Sequence, residues 1–171
     1  MMIERAPGLL LPPDFPLAGP ELEGLLAVLC EVLGLDGADF DLRLVDDVEM
    51  AAINAEHRGL RGPTNILSFP ADDGPANGDP APDEALAETA GDSGAEAVEG
   101  VIFIGDLVLS VDTLAREAFL YGQDPLEHTA RLLAHGLLHL AGFDHGEEMD
   151  ALTEAAVDAV SGTAADSGLS A

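Results

Sequence analysis

The sequence predicts an α+β protein, built as mixed α/β layers: a small mixed β-sheet with surrounding helices. Three observations predict it. Apolar residues recur at helical spacing in five segments, and short apolar or alternating runs bounded by turn residues read as strands. One late helix, 125–141, is apolar over so much of its surface that it must be central and buried. At 171 residues and 47% hydrophobic content, the chain is long enough for one domain with a core. That domain is expected over residues 1–160, with a flexible acidic insertion at 71–100 and a disordered tail at 161–171.

The elements follow in order. Residues 8–11 read as a short edge strand. Glu21 to Leu33 carries Leu22, Leu25, Leu26, Leu29, Val32 and Leu33 at helical spacing and stops at Gly34. Phe40 to Leu44 alternates with period two, a strand with one wet face. Asp46 or Asp47 caps a helix carrying Met50, Ile53 and Asn54 that ends near Gly59. Ile66 to Phe69 and Val101 to Ile104 are expected as buried strands, with Leu107 to Leu109 extending the second past Gly105. Val111 to Tyr121 is a helix stopped by Gly122. Asp124 then caps the next helix, with Pro125 at its first position and Gly142 just past its end. A last helix is expected from Glu147 to Val160.

Charge restricts the partners. The chain has 33 acidic residues, six arginines and no lysine, for a net charge of −27. Residues 71–100 hold nine acids and no base, and six more acids follow His145. Without these the remainder still carries about −12. A broad basic nucleic-acid surface is therefore excluded, because phosphate contacts need lysine or arginine. A small local positive site is compatible with an acidic body, and Arg58, Arg61 and Arg131 are the arginines near the motifs. Acid excess without lysine suits life at high salt, where screening shortens electrostatic reach; codon bias accounts for the missing lysine equally well. No apolar stretch is long enough to span a bilayer, so a cytoplasmic protein with no membrane partner is expected. The single Cys30, on the apolar face of the first helix, reads as a small core residue.

The most informative segment is His135-Gly-Leu-Leu-His139-Leu-Ala-Gly142-Phe-Asp144-His145, which holds three of the five histidines in eleven residues. Histidines four apart lie one turn above the other on one helix face. Gly142 lets the chain turn so that His145 reaches back to the same point. Three imidazoles converging on one spot are what an open zinc site requires, with water in the fourth position. One Zn2+ held by His135, His139 and His145 is the expected cofactor.

The spacing is similar to the long zinc motif of metzincin proteases, H-E-x-x-H-x-x-G-x-x-H, but Gly136 stands where those enzymes carry the glutamate base. Without that carboxylate the peptidase loses the group that takes the proton from the water. The same segment resembles the signature of the YbeY family of bacterial endoribonucleases. So do Asn54-Ala-Glu-His-Arg58 with Pro63-Thr-Asn-Ile-Leu-Ser-Phe-Pro70, and Gly105-Asp-Leu-Val-Leu-Ser110, in the same order along the chain. Together these span roughly residues 40 to 150.

The resemblance implies a zinc-dependent, single-strand-specific endoribonuclease of ribosomal RNA maturation and ribosome quality control. Its partners would be ribosomal RNA and ribosomal subunit proteins, not DNA, and its fold a zincin-like arrangement around the histidine helix. Arg58 matches the family's functional arginine, and its fork suits the oxygens of a scissile phosphate. Asp144 either fixes the tautomer of a ligand imidazole or shapes its turn. Ser68 either hydrogen-bonds substrate or sits in its strand. Asp106 reads as a strand-end residue more than as a base, so proton transfer is left to Asp144, Asp106 or solvent. His57 is expected to pack, and His128 to be solvated near a helix start. Leu60 stands where family members often carry a polar or basic residue. Two other classes use the same histidines: a metal-dependent hydrolase of a peptide or small molecule, and a non-catalytic ribosome-assembly factor with structural metal.

Overall fold

Four strands and five helices lie along residues 1–71 and 101–166, the residues described by the computed structural model. In chain order they are β1 (Met2–Arg5), α1 (Gly19–Val32), β2 (Ala38–Val45), α2 (Asp47–Arg58), β3 (Ile66–Pro70), β4 (Ile102–Ser110), α3 (Val111–Leu120), α4 (Pro125–Leu140) and α5 (Glu147–Asp166). The sheet order is β1-β2-β4-β3. β1, β2 and β4 run parallel, and β3 closes the edge antiparallel to β4. Apart from Ala71, the acidic insertion expected at 71–100 lies outside the described residues.

Alternation along the strands sorts the two faces. Phe40, Leu42 and Leu44 of β2 and Leu107 and Leu109 of β4 join Leu22, Leu26 and Leu29 of α1 and Leu133 and Leu137 of α4 in the main core. The register sets Ile66 opposite Leu109 and Ser68 opposite Leu107, so both belong to this face. The other face carries Val108 and Leu67 under Met50 of α2. Ten residues of α4 are buried, as its apolar circumference requires.

Local signals hold where they act within a few residues. Asp46 accepts from the Glu49 amide at 2.8 Å, and Gly59 ends α2 at φ 65°. Asp124 accepts from Leu126 at 2.9 Å and Glu127 at 3.1 Å at the start of α4.

Three expectations are corrected. The edge strand is Met2–Arg5, not 8–11. The Ala6 amide makes the last bond to β2, at 2.9 Å to the Leu44 carbonyl. Pro7 then offers no donor and Gly8, at φ 75°, turns the chain, so Leu9 and Leu11 pack on the core as coil. β4 is one continuous strand, but its first half is not buried: Ile102 is 72% exposed. The last helix runs on to Asp166, so residues 161–166 are helical, and only 167–171 of the expected tail lie outside the described residues. The Ser161 hydroxyl donates to Glu127 at 3.1 Å and Thr163 to the Ala159 carbonyl at 2.8 Å, which ties this small-residue segment down.

Candidate metal centre

His135 and His139 stand one turn apart near the C-terminal end of α4. The helix then closes with a Schellman pair: Gly142 donates to the His139 carbonyl at 3.1 Å and Phe143 to the Leu138 carbonyl at 3.0 Å. Gly142 makes this possible by adopting φ 92°. The reversed chain brings His145 back over the helix end. One ring nitrogen from each of the three histidines lies within 4.8 Å of the others. The Nε2 atoms of His135 and His139 are 3.1 Å apart, and the ring centroids are 4.6, 5.1 and 4.7 Å apart.

The donor set fits a transition metal. Nitrogens each about 2.0–2.1 Å from one ion sit little more than about 3.3 Å apart at a tetrahedral angle, close to the observed pair. The protonation state fits as well, because metal ligation needs neutral imidazoles. Burial lowers the pKa of His135, and the neighbouring His139 and His145 lower it further, against a small opposing effect of Asp150. Burial and His145 likewise lower His139, with Arg58 adding to the effect while the Phe143 backbone and Asp144 oppose it. His135 and His139 are half-buried and His145 is exposed, so the cluster opens to solvent.

Gly136 explains how α4 comes so close to the sheet. A Cβ there would lie 2.8 Å from Ile66 Cδ1, 2.9 Å from Leu107 Cδ2 and 3.4 Å from Ser68 Oγ. The position that carries a peptidase glutamate is therefore packed against β3 and β4.

The remaining candidates divide. Arg58, the last residue of α2, is exposed, and its charge is felt at His139. Asp144 is exposed beside the cluster, but makes no hydrogen bond to an imidazole among the described residues. The Ser68 hydroxyl is committed to the Gly136 carbonyl at 3.2 Å, a bond between β3 and α4. Asp106 pairs in register with Asp41 and shares the face of Val108, away from the histidine helix. Burial and then the Asp41 charge raise its pKa. Arg131, next to the motif in sequence, is engaged with Glu154 at 3.2 Å and Gln123 at 3.0 Å. His57 packs edge-on against Phe69, with centroids 5.0 Å apart.

His128 corrects a further expectation. It is buried, not solvated, and its Nε2 lies 3.0 Å from the Glu117 carboxylate. Asn65 donates to both oxygens of the same carboxylate at 3.3 Å, so Glu117 ties α4 to the loop before β3. Eleven residues separate Glu117 from His128 and 52 separate it from Asn65, so no local spacing signals the link.

The sequence profile of the family described as Endoribonuclease YbeY matches residues 21–158. The Endoribonuclease YbeY of Nitratidesulfovibrio vulgaris is 47% identical over 148 residues, covering 86% of this chain and 88% of that protein. That of Oleidesulfovibrio alaskensis is 46% identical over 151 residues, 88% of each chain. A Thermotoga maritima protein solved in solution superposes with a TM-score of 0.58 at 20% identity, covering 98% of this chain and 93% of that one, a likeness of fold. With the family profile spanning most of the chain and relatives this close, the chain belongs to the endoribonuclease YbeY family.

Proposed function

We propose that this chain is a zinc-dependent, single-strand-specific endoribonuclease acting in ribosomal RNA maturation and ribosome quality control. The observation that carries the reading is the meeting of three histidine nitrogens within 4.8 Å, with an arginine whose charge is felt at one of them, His139. A zinc ion held there by neutral imidazoles would acidify its water toward a pKa of about 7 or polarise a phosphoryl oxygen. His135, His139 and His145 are the residues that would hold it, and their lack of a fourth protein partner among the described residues leaves room for substrate.

Arg58 binds the scissile phosphate. Its planar fork matches two phosphate oxygens, orients the group and neutralises the charge that builds there. Ser68 is left a structural role by its bond to Gly136. Asp144, exposed beside the histidines, is the carboxylate we assign to proton traffic, since Asp106 lies on the far face of the sheet. We read the histidine helix and the turn that carries His145 as zincin-like, while Gly136 in the place of a peptidase glutamate argues against peptide hydrolysis. No helix among the described residues is long and apolar enough to cross a membrane, in keeping with action on ribosomal RNA in the cytoplasm.

Cleavage of a single-stranded ribosomal RNA fragment, with metal analysis on each protein, tests the reading. Wild type is expected to carry one zinc and to cleave, His139→Ala to lose both, and Arg58→Ala to keep the metal and lose roughly 10²-fold in rate. A His139→Ala protein that keeps metal and activity overturns the site. Turnover of a small ester with no cleavage of RNA overturns the substrate.

A further inference from the structure

Six arginines and no lysine supply the fixed positive side-chain charge of a chain with 33 acids. Four are committed within the fold. Arg43 pairs with Glu49, Arg116 with Asp47 at 2.8 Å, and Arg131 with Glu154 at 3.2 Å. Arg5 donates to the Leu17 carbonyl at 3.4 Å. Only Arg58 and Arg61 have neither an ion pair nor a hydrogen bond from their side chains among the described residues. They lie three positions apart, so the two arginines without a side-chain partner among the described residues are on one segment.

That segment is held. Gly59 closes α2 in the left-handed region, and buried Asn54 donates to the Gly62 carbonyl at 2.9 Å. Farther along, Asn65 is tied to Glu117. Arg61 is thus an exposed arginine on a loop anchored at both sides, where binding costs little backbone ordering. Three residues of chain span at most about 10 Å, so the two backbone positions lie within reach of neighbouring phosphates of one strand.

We propose that Arg61 is a second phosphate-binding residue, taking a backbone phosphate beside the one that Arg58 holds. The inference rests on the nuclease reading and adds to it a way for an acidic protein to grip RNA: two neighbouring arginines in place of a basic face. Arg61 would contribute affinity and position, not chemistry, since uniform binding alters KM and leaves kcat unchanged.

The test is binding of a 2′-O-methylated single-stranded RNA by the metal-loaded protein over a range of salt concentrations, with cleavage kinetics on unmodified RNA. Each phosphate contact to a single strand contributes about −0.7 to the slope of log K against log salt. Arg61→Gln is expected to flatten the slope by about 0.7, weaken binding about tenfold and raise KM at unchanged kcat. Arg61→Lys should restore the slope, because the charge is kept. Arg43→Gln, which removes a guanidinium already paired with Glu49, should leave the slope as in wild type. An Arg61→Gln protein with the wild-type slope and KM overturns the inference while the nuclease reading stands. A wild-type protein that neither binds nor cleaves RNA overturns the nuclease reading and this inference with it.

Discussion

The Ser68 hydroxyl donates to the Gly136 carbonyl at 3.2 Å, joining the edge strand to the helix between two of the candidate metal ligands. The contact is possible because Gly136 has no side chain: an added Cβ would lie 2.8 Å from Ile66 Cδ1 and 2.9 Å from Leu107 Cδ2. Helix propensity favours alanine over glycine there by about 1 kcal/mol, while overpacking a core costs about 1–3 kcal/mol. Gly136→Glu adds a buried carboxylate to the overpacking. It should lower the unfolding midpoint in urea and confer no peptidase activity; a stable variant that cleaves peptides would contradict the packing argument.

Gly142 decides whether the third histidine arrives. At φ 92° it completes the turn after α4, and nothing lies within 4 Å of where its Cβ would be. Gly142→Ala therefore carries only the backbone strain of that conformation, about 1 kcal/mol. Calorimetric metal titration should show weaker binding than wild type, with the helix content unchanged by circular dichroism. Equal affinity would mean that His145 is not a ligand.

Asp47 sets the acid limit of one part of the fold. Burial alone would raise its pKa, but hydrogen bonds from Thr113, Ser110 and Arg116, with the Arg116 charge, outweigh it and lower the pKa. A depressed pKa contributes stability that is present above the ordinary carboxylate value and lost as pH falls through the folded one. Asp47→Ala should thus cost about 1–3 kcal/mol at pH 7. The gap from wild type should close as urea melts are taken below about pH 4. A gap that persists into acid would assign the loss to packing instead.

Glu117 joins three elements through His128 and Asn65. Glu117→Ala leaves buried His128 without its acceptor, a change of about 1–3 kcal/mol toward unfolding. Hydrogen exchange should report faster opening at the start of β3 than at the start of β2. Uniform loss of protection would show that the carboxylate supports the fold as a whole and not this loop.

The chain's own order carried much of the site. Four-residue spacing in α4, the Asp124 cap, Pro125 and Gly142 act over one turn, and from them the helix, its end and the three histidines were legible. A cap at Asp46 or Asp47 and the stop at Gly59 placed α2 and with it Arg58, and the structure decides for Asp46. What those signals lacked was the remote partner. Whether residues 2–5 or 8–11 form the edge strand depends on β2, some forty positions away, and Arg131 points to Glu154 because α5 packs across α4. The alternation in Asp106-Leu107-Val108 implied two faces, but only the docking of α4 on the Leu107 face put Asp106 on the wrong side for the histidines. Periodicity and capping are local and were determined by the sequence itself. Pairing, facing and the freedom of Arg58 and Arg61 were decided by which surfaces met in the folded chain, because a charge or a donor is committed only when a partner comes within a few ångströms.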